Sequence, residues 1–136
     1  MRKLFVGLGL AAVLGCGAGE AVAPAPYAAI AGAYSQATFD GVPMPYGDPK
    51  GQQVVSRTID LAASGTYTEM VTTRDNADRS SHTLRSSGTF ASDGQQISLR
   101  SAPDSAALWI GSINGKTLTL RVNRPLFPAL YVCVRP

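Results

Sequence analysis

The chain predicts an all-β protein: a single small antiparallel up-and-down β-barrel of about eight strands, behind a signal peptide and a flexible tether. Three observations carry this. From Gly32 onward, short segments of alternating polar and apolar residues are separated by turn residues, the period-two pattern of half-buried strands. No stretch repeats its apolar residues at helical spacing. Asp93-Gly94 and Asn114-Gly115 each stand between two such segments, as two-residue hairpin turns do. A length of 136 residues suits one domain with one core.

The N-terminus reads as an address. Met1-Arg2-Lys3 is basic, and Leu4 to Leu14 is an apolar run of eleven residues. That is the length of a signal-peptide core, well short of the roughly 20 residues that a membrane-spanning helix needs. Residues 1–15 are therefore expected to be removed. The run ends in Val13-Leu14-Gly15-Cys16, which resembles the bacterial lipobox, with Leu14 at a place where small residues are commoner. The resemblance implies acylation of the Cys16 thiol, as by palmitate, with cleavage before it and a third chain on the new amino terminus in many bacteria. At about 0.8 kcal/mol per buried CH₂, several chains make anchoring effectively permanent. Gly17 stands where an Asp would favour the inner membrane, so the resemblance implies the periplasmic face of the outer membrane. Residues 16–31, rich in Gly and Ala and broken by Pro24 and Pro26, are expected to be a tether. Residues 32–136 form the domain.

Eight segments read as strands: Tyr34 to Phe39, Gln53 to Ala62, Thr66 to Thr73, Thr83 to Ala91, Gln95 to Ser101, Ala106 to Ile113, Lys116 to Asn123 and Leu130 to Val134. A turn at Asp93-Gly94 sets Phe90 opposite Ile97 and Gly88 opposite Leu99. One at Asn114-Gly115 sets Trp109 opposite Leu120, Gly111 opposite Leu118 and Ala107 opposite Val122. Both registers collect the large apolar residues on one face, so turn chemistry and burial pattern agree. Short links favour a meander, and closing eight strands removes the unpaired edges while leaving an interior that side chains just fill or that holds one small ligand.

Gly32-Ala33-Tyr34 leading to Phe39-Asp40-Gly41 and Pro45, Ile59-Asp60-Leu61 with Gly65-Thr66-Tyr67, Gly88-Thr89-Phe90, and Lys116-Thr117-Leu118-Thr119-Leu120 resemble the small lipocalin-like lipoproteins of bacteria over about a hundred residues. The resemblance implies a calycin-type barrel. Gln36 departs from it, standing where an apolar residue is expected.

The formal charge of +3 falls to +1 without Arg2 and Lys3, which leaves ten basic against nine acidic side chains scattered singly. This gives no footprint for nucleic acid. With Cys16 lipidated, Cys133 has no partner thiol and is expected to be a buried, inert small hydrophobe. His82, the only histidine, lies in the polar loop Asp75-Asn76-Ala77-Asp78-Arg79-Ser80-Ser81-His82, where it is expected to be a solvated loop residue. No second His or Cys pair supplies the ligands of a zinc site. Asp75, Asn76 and Asp78 lack the calcium-loop frame, and short polar side chains bonding their own backbone explain them better. No metal or other cofactor is expected. No nucleophile elbow or triad spacing is present, so a non-enzymatic module is expected.

The sharpest local feature is Arg57 with Glu69. A hairpin pairing Ile59 with Tyr67 sets these opposite charges across from each other on the apolar face with Val55, Leu61 and Val71, tolerable only if they pair. Arg57, Glu69, Tyr67 and Trp109 are the candidate ligand contacts of a barrel holding a small apolar ligand. The second reading is a filled core in a structural or protein-interaction lipoprotein, with the outer strand faces or the loop from Arg74 to Ser81 against a partner.

Overall fold

The computed structural model describes residues 27–102, 105–124 and 129–136. The signal peptide, Cys16 and the tether as far as residue 26 lie outside the described residues. No helix occurs among the described residues. Ten strands form one antiparallel sheet: β1 Gly32–Phe39, β2 Val42–Pro43, β3 Tyr46–Gly47, β4 Gln52–Leu61, β5 Thr66–Asp75, β6 Ser81–Ser92, β7 Gln96–Arg100, β8 Trp109–Asn114, β9 Thr117–Val122 and β10 Leu130–Val134. The eight long strands pair in sequence order from β4 to β10, and β1 joins β10 on one side and β4 on the other. The sheet thus closes into an eight-stranded up-and-down barrel, a topology compatible with the lipocalin-like fold. β2 and β3 extend its edge beside β1 and β4.

Inward positions follow the predicted alternation. Tyr34, Ile59, Leu61, Tyr67, Phe90, Ile97, Leu99, Ile113, Leu118, Leu120 and Cys133 are buried in one cluster. Six of these are almost wholly enclosed, so large side chains fill the interior as an eight-stranded barrel permits.

All three predicted hairpin registers differ from the observed ones by two residues, for reasons local to each turn. Gly65, with φ of +88°, belongs inside the β4–β5 loop, where the left-handed residue of a three-residue connection sits. Leu61 therefore faces Tyr67, and Ile59 faces Glu69. Asp93 Oδ1 accepts the N–H groups of both Gln95 and Gln96, at 2.8 and 2.7 Å. This side chain stabilises a four-residue loop in which Phe90 faces Leu99. The β8–β9 turn has Gly115, at φ of +57°, as its first central residue, so Asn114 pairs with Thr117 and Trp109 with Val122. A shift of two leaves every side chain on its original face, whereas a shift of one would have inverted them all.

One end of the barrel is closed. Tyr27–Ala31, within the segment expected to be tether, packs against the core. Ile30 is buried, its carbonyl accepts a 2.8 Å hydrogen bond from Tyr34 Oη, and Tyr27 packs on Phe90 with ring centroids 4.7 Å apart. Arg135 fastens the turn from the other terminus by donating to the carbonyls of Ala31 and Ala29, at 2.8 and 3.1 Å. Among the described residues no such segment covers the opposite end, the open end. There β6 outruns β7, which pairs only with Thr89 to Ser92, so Ser81 to Ser87 is exposed and Leu84 is 70% accessible.

Candidate binding site at the open end

Three of the four candidate contacts meet at the open end. Although Arg57 faces Val71 in the ladder, its side chain reaches diagonally to Glu69, Nε lying 3.2 Å from Oε1, with 11% and 12% of the two side chains exposed. The contact is an ion pair without hydrogen-bond alignment, since neither Nε nor Oε1 has a hydrogen-bond partner among the described residues. Glu69 Oε2 accepts from Ser86 Oγ at 3.0 Å. The Arg57 guanidinium lies 4.3 Å from the Tyr131 ring centroid and 5.4 Å from that of Trp109, an arrangement that stabilises a cation against aromatic faces.

Tyr67 does not join them. It is two residues along β5 toward the closed end, buried at 3% exposure, and packs across the strand pair over Gly88. A Cβ on Gly88 would stand 2.8 Å from the Tyr67 ring. Burial, helped by Glu69, raises the Tyr67 phenol above its ordinary pKa.

The remaining walls were not among the sequence candidates. Tyr131 packs edge-on against Trp109, with centroids 5.0 Å apart. Phe39 lies 5.0 Å from Tyr131 and stacks on Tyr46 at 4.5 Å. Tyr46 sits on the short β3, which pairs with β4 at Val54. Burial raises the Tyr46 phenol, and nearby Arg57 opposes the shift. Gln36 is the only buried polar side chain among the described residues, at 7% exposure. Its Nε2 donates to Thr38 O at 3.1 Å, and its Oε1 is buried with no partner. The β1–β4 pairing ends at Ser35 and Thr58, one residue short of Gln36 and Arg57. Gln36 also faces Cys133 on β10.

Cys133 is buried, and loss of solvation pushes its thiol up to about 11, with Arg57 opposing and Glu69 adding to the shift. His82 lies on β6 and not in the loop, which spans Asn76 to Ser80. In that loop Asp75 Oδ1 takes Ala77 N and Asp78 Oδ1 takes Ser80 N, at 2.9 and 2.8 Å, the self-bonded arrangement expected of short polar side chains. No group of three or more His, Cys, Asp or Glu among the described residues is placed to hold a metal.

The described surface carries shallow depressions. A groove of about 750 Å³ runs along the outside of the barrel past outward-facing Ser98, Ile110, Ser112, Thr119 and Arg121. A smaller one of about 350 Å³ lies at the rim of the open end beside Leu108, Trp109 and Val122. Neither is a chamber within the barrel.

The chain matches no protein-family model, no curated protein and no solved structure.

Proposed function

We propose that this protein is a membrane-anchored lipoprotein of the cell envelope, attached through lipid on Cys16, whose lipocalin-like barrel is a non-enzymatic binding module. The observation that carries the reading is the contrast between the two ends: a filled interior sealed by Tyr27–Ala31, and an open end where aromatic rings lie beside the Arg57–Glu69 pair. A packed core favours contact at the mouth over a ligand held deep inside, so any small apolar molecule sits against Trp109 and Tyr131 at the rim. The chain enters at the closed end. The ten residues from Gly17 to Pro26 span at most about 35 Å, which keeps the closed end within that reach of the bilayer.

Native mass spectrometry of the mature protein, extracted gently from membranes of cells that make it, tests the binding role. A co-purifying small molecule displaced by Trp109→Ala supports the mouth as its site. An empty protein that captures a partner only when the loop from Arg74 to Ser81 is intact supports the structural and interaction role instead.

A further inference from the structure

A closed barrel leaves no free sheet edge, because every strand is paired on both sides. β6 departs from this over more than half its length. It pairs with β5 from Ser81 to Thr89 without a register shift, yet with β7 only from Thr89 to Ser92. β7 ends at Arg100, and the chain then returns on the β8 side, where Leu108 N donates to Leu99 O at 2.8 Å. Among the described residues nothing pairs with the second edge of residues 81–88.

Backbone direction identifies the groups left over. At one end of β6 the Ser80 carbonyl accepts from Asp75 N, and at the other Phe90 N donates to Gly65 O. Successive residues of an antiparallel ladder bond to opposite sides, so His82, Leu84, Ser86 and Gly88 address β5. Ser81, Thr83, Arg85 and Ser87 therefore turn their N–H and C=O groups to the free edge. Of the devices that blunt such an edge, the segment has a single charge, Arg85, and no Pro, Lys or bulge. At its centre stands Leu84, 70% exposed.

Such an edge accepts a further strand through its backbone, and its own sequence fits it. A twofold axis through Leu84 pairs Thr83 with Arg85, and Ser81 with Ser87, of a second copy, which engages all four edge-facing residues. Leu84 then stands in a non-hydrogen-bonded pair with its copy, where side chains are closest. That pair extends the row running from Arg57 through Val71 to Leu84. Neighbouring axes fit worse. Through Arg85, two guanidiniums face each other and Ser81 meets Thr89, which β7 already holds. Through Thr83, Ser87 meets Arg79, which has a left-handed φ of +61° in the loop. With ten basic and nine acidic side chains after residue 15, two copies meet without strong mutual repulsion.

We infer that two copies of this protein join edge to edge through antiparallel β6 strands, related by a twofold axis at Leu84. The contact uses the same patch on both copies and closes on itself, so it yields dimers and not fibres.

Sedimentation of the full chain carrying Cys16→Ser, so that no lipid brings copies together, tests the pairing. A monomer–dimer equilibrium is expected. Thr83→Pro removes an edge donor and no bond to β5, and is expected to weaken the dimer at least tenfold with the circular dichroism spectrum retained. Leu84→Lys, at a position already exposed, sets like charges across the axis and is expected to weaken it similarly. Under mild oxidation Leu84→Cys is expected to link copies at least ten times faster than Arg85→Cys, which stands across from Thr83. A monomer at every concentration overturns the pairing, and so does association undiminished in both Thr83→Pro and Leu84→Lys. Equal linking by Leu84→Cys and Arg85→Cys overturns the axis. Linkage of Leu84→Cys in intact cells to a different protein, in place of a second copy, overturns self-pairing and gives the edge to another partner.

Discussion

Gly111 on β8 gives the most demanding test of the barrel. It faces Leu120 at a point where the two strands approach so closely that a Cβ would fall on the carbonyl oxygen of Thr119. The same Cβ would stand 2.9 Å from that carbonyl carbon and 3.0 Å from Leu120 Cδ2. A carbon beside a carbonyl oxygen needs about 3.3 Å, so Gly111→Ala must part β8 from β9 by more than an ångström. The Thr119 carbonyl belongs to the ladder, so the movement breaks at least one interstrand hydrogen bond. That costs about 1–3 kcal/mol for the group left unpaired, and displacing Leu120 from a close-packed core adds about 1–3 kcal/mol. A total near 4 kcal/mol corresponds to a Tm lower by roughly 15 °C in a domain of this size. Gly115→Ala, in the turn of the same hairpin, is the control. Nothing lies within 4 Å of its Cβ, and only the left-handed backbone resists, at about 1–2 kcal/mol. Thermal unfolding followed by circular dichroism compares them. A Gly111→Ala protein as stable as the Gly115→Ala protein would refute the β8–β9 register and the close approach derived from it.

Removing one member of the ion pair should cost more than removing both. Arg57→Leu leaves Glu69 uncompensated and is expected to lower stability by about 2 kcal/mol, between surface and fully buried values. Adding Glu69→Leu should recover most of that in urea unfolding, and a double variant weaker than the single one would contradict the pairing. Alkaline pH offers another test, because burial raises Cys133 to about 11 and also raises Tyr34 and Tyr67. A folded pKa above the unfolded one gives stability that is complete below the unfolded value and lost as pH climbs through the folded value. The urea midpoint under reducing conditions should therefore hold to about pH 9 and fall from there toward pH 11. Cys133 accounts for about 2–3 kcal/mol of the fall, so Cys133→Val should flatten it, and an unchanged slope would sink this assignment.

The fold was legible because period-two alternation is local. All eight long strands and their inward faces follow from it. Register was harder, since it turns on single groups in the loops: the carboxylate of Asp93, and the positions that Gly65 and Gly115 take within their turns. β2 and β3, of two residues each, are too short to show a period. The Tyr27–Ala31 turn looks like tether by composition, and what holds it is Arg135, about a hundred residues away in the chain. At the site, Arg57 and Glu69 stood out as charges on an apolar face, and they do pair. Gln36 carried the same kind of signal, a polar side chain at an inward place. Tyr131 gave none, because an aromatic residue at an inward position reads as core; Phe39 joins the face of Tyr131 only through a bulge between Gln36 and Thr38, and Tyr46 lies on a strand of two residues.

Anchoring is the claim on which the place of the barrel at the membrane, and so its role in the envelope, depends. Intact-mass and peptide analysis of the protein extracted from membranes tests it most directly. The expected mature chain begins at Cys16 and carries the added mass of two or three acyl chains on that residue. A mature protein with an unmodified Cys16 thiol, or one cut elsewhere and recovered without lipid, would contradict it.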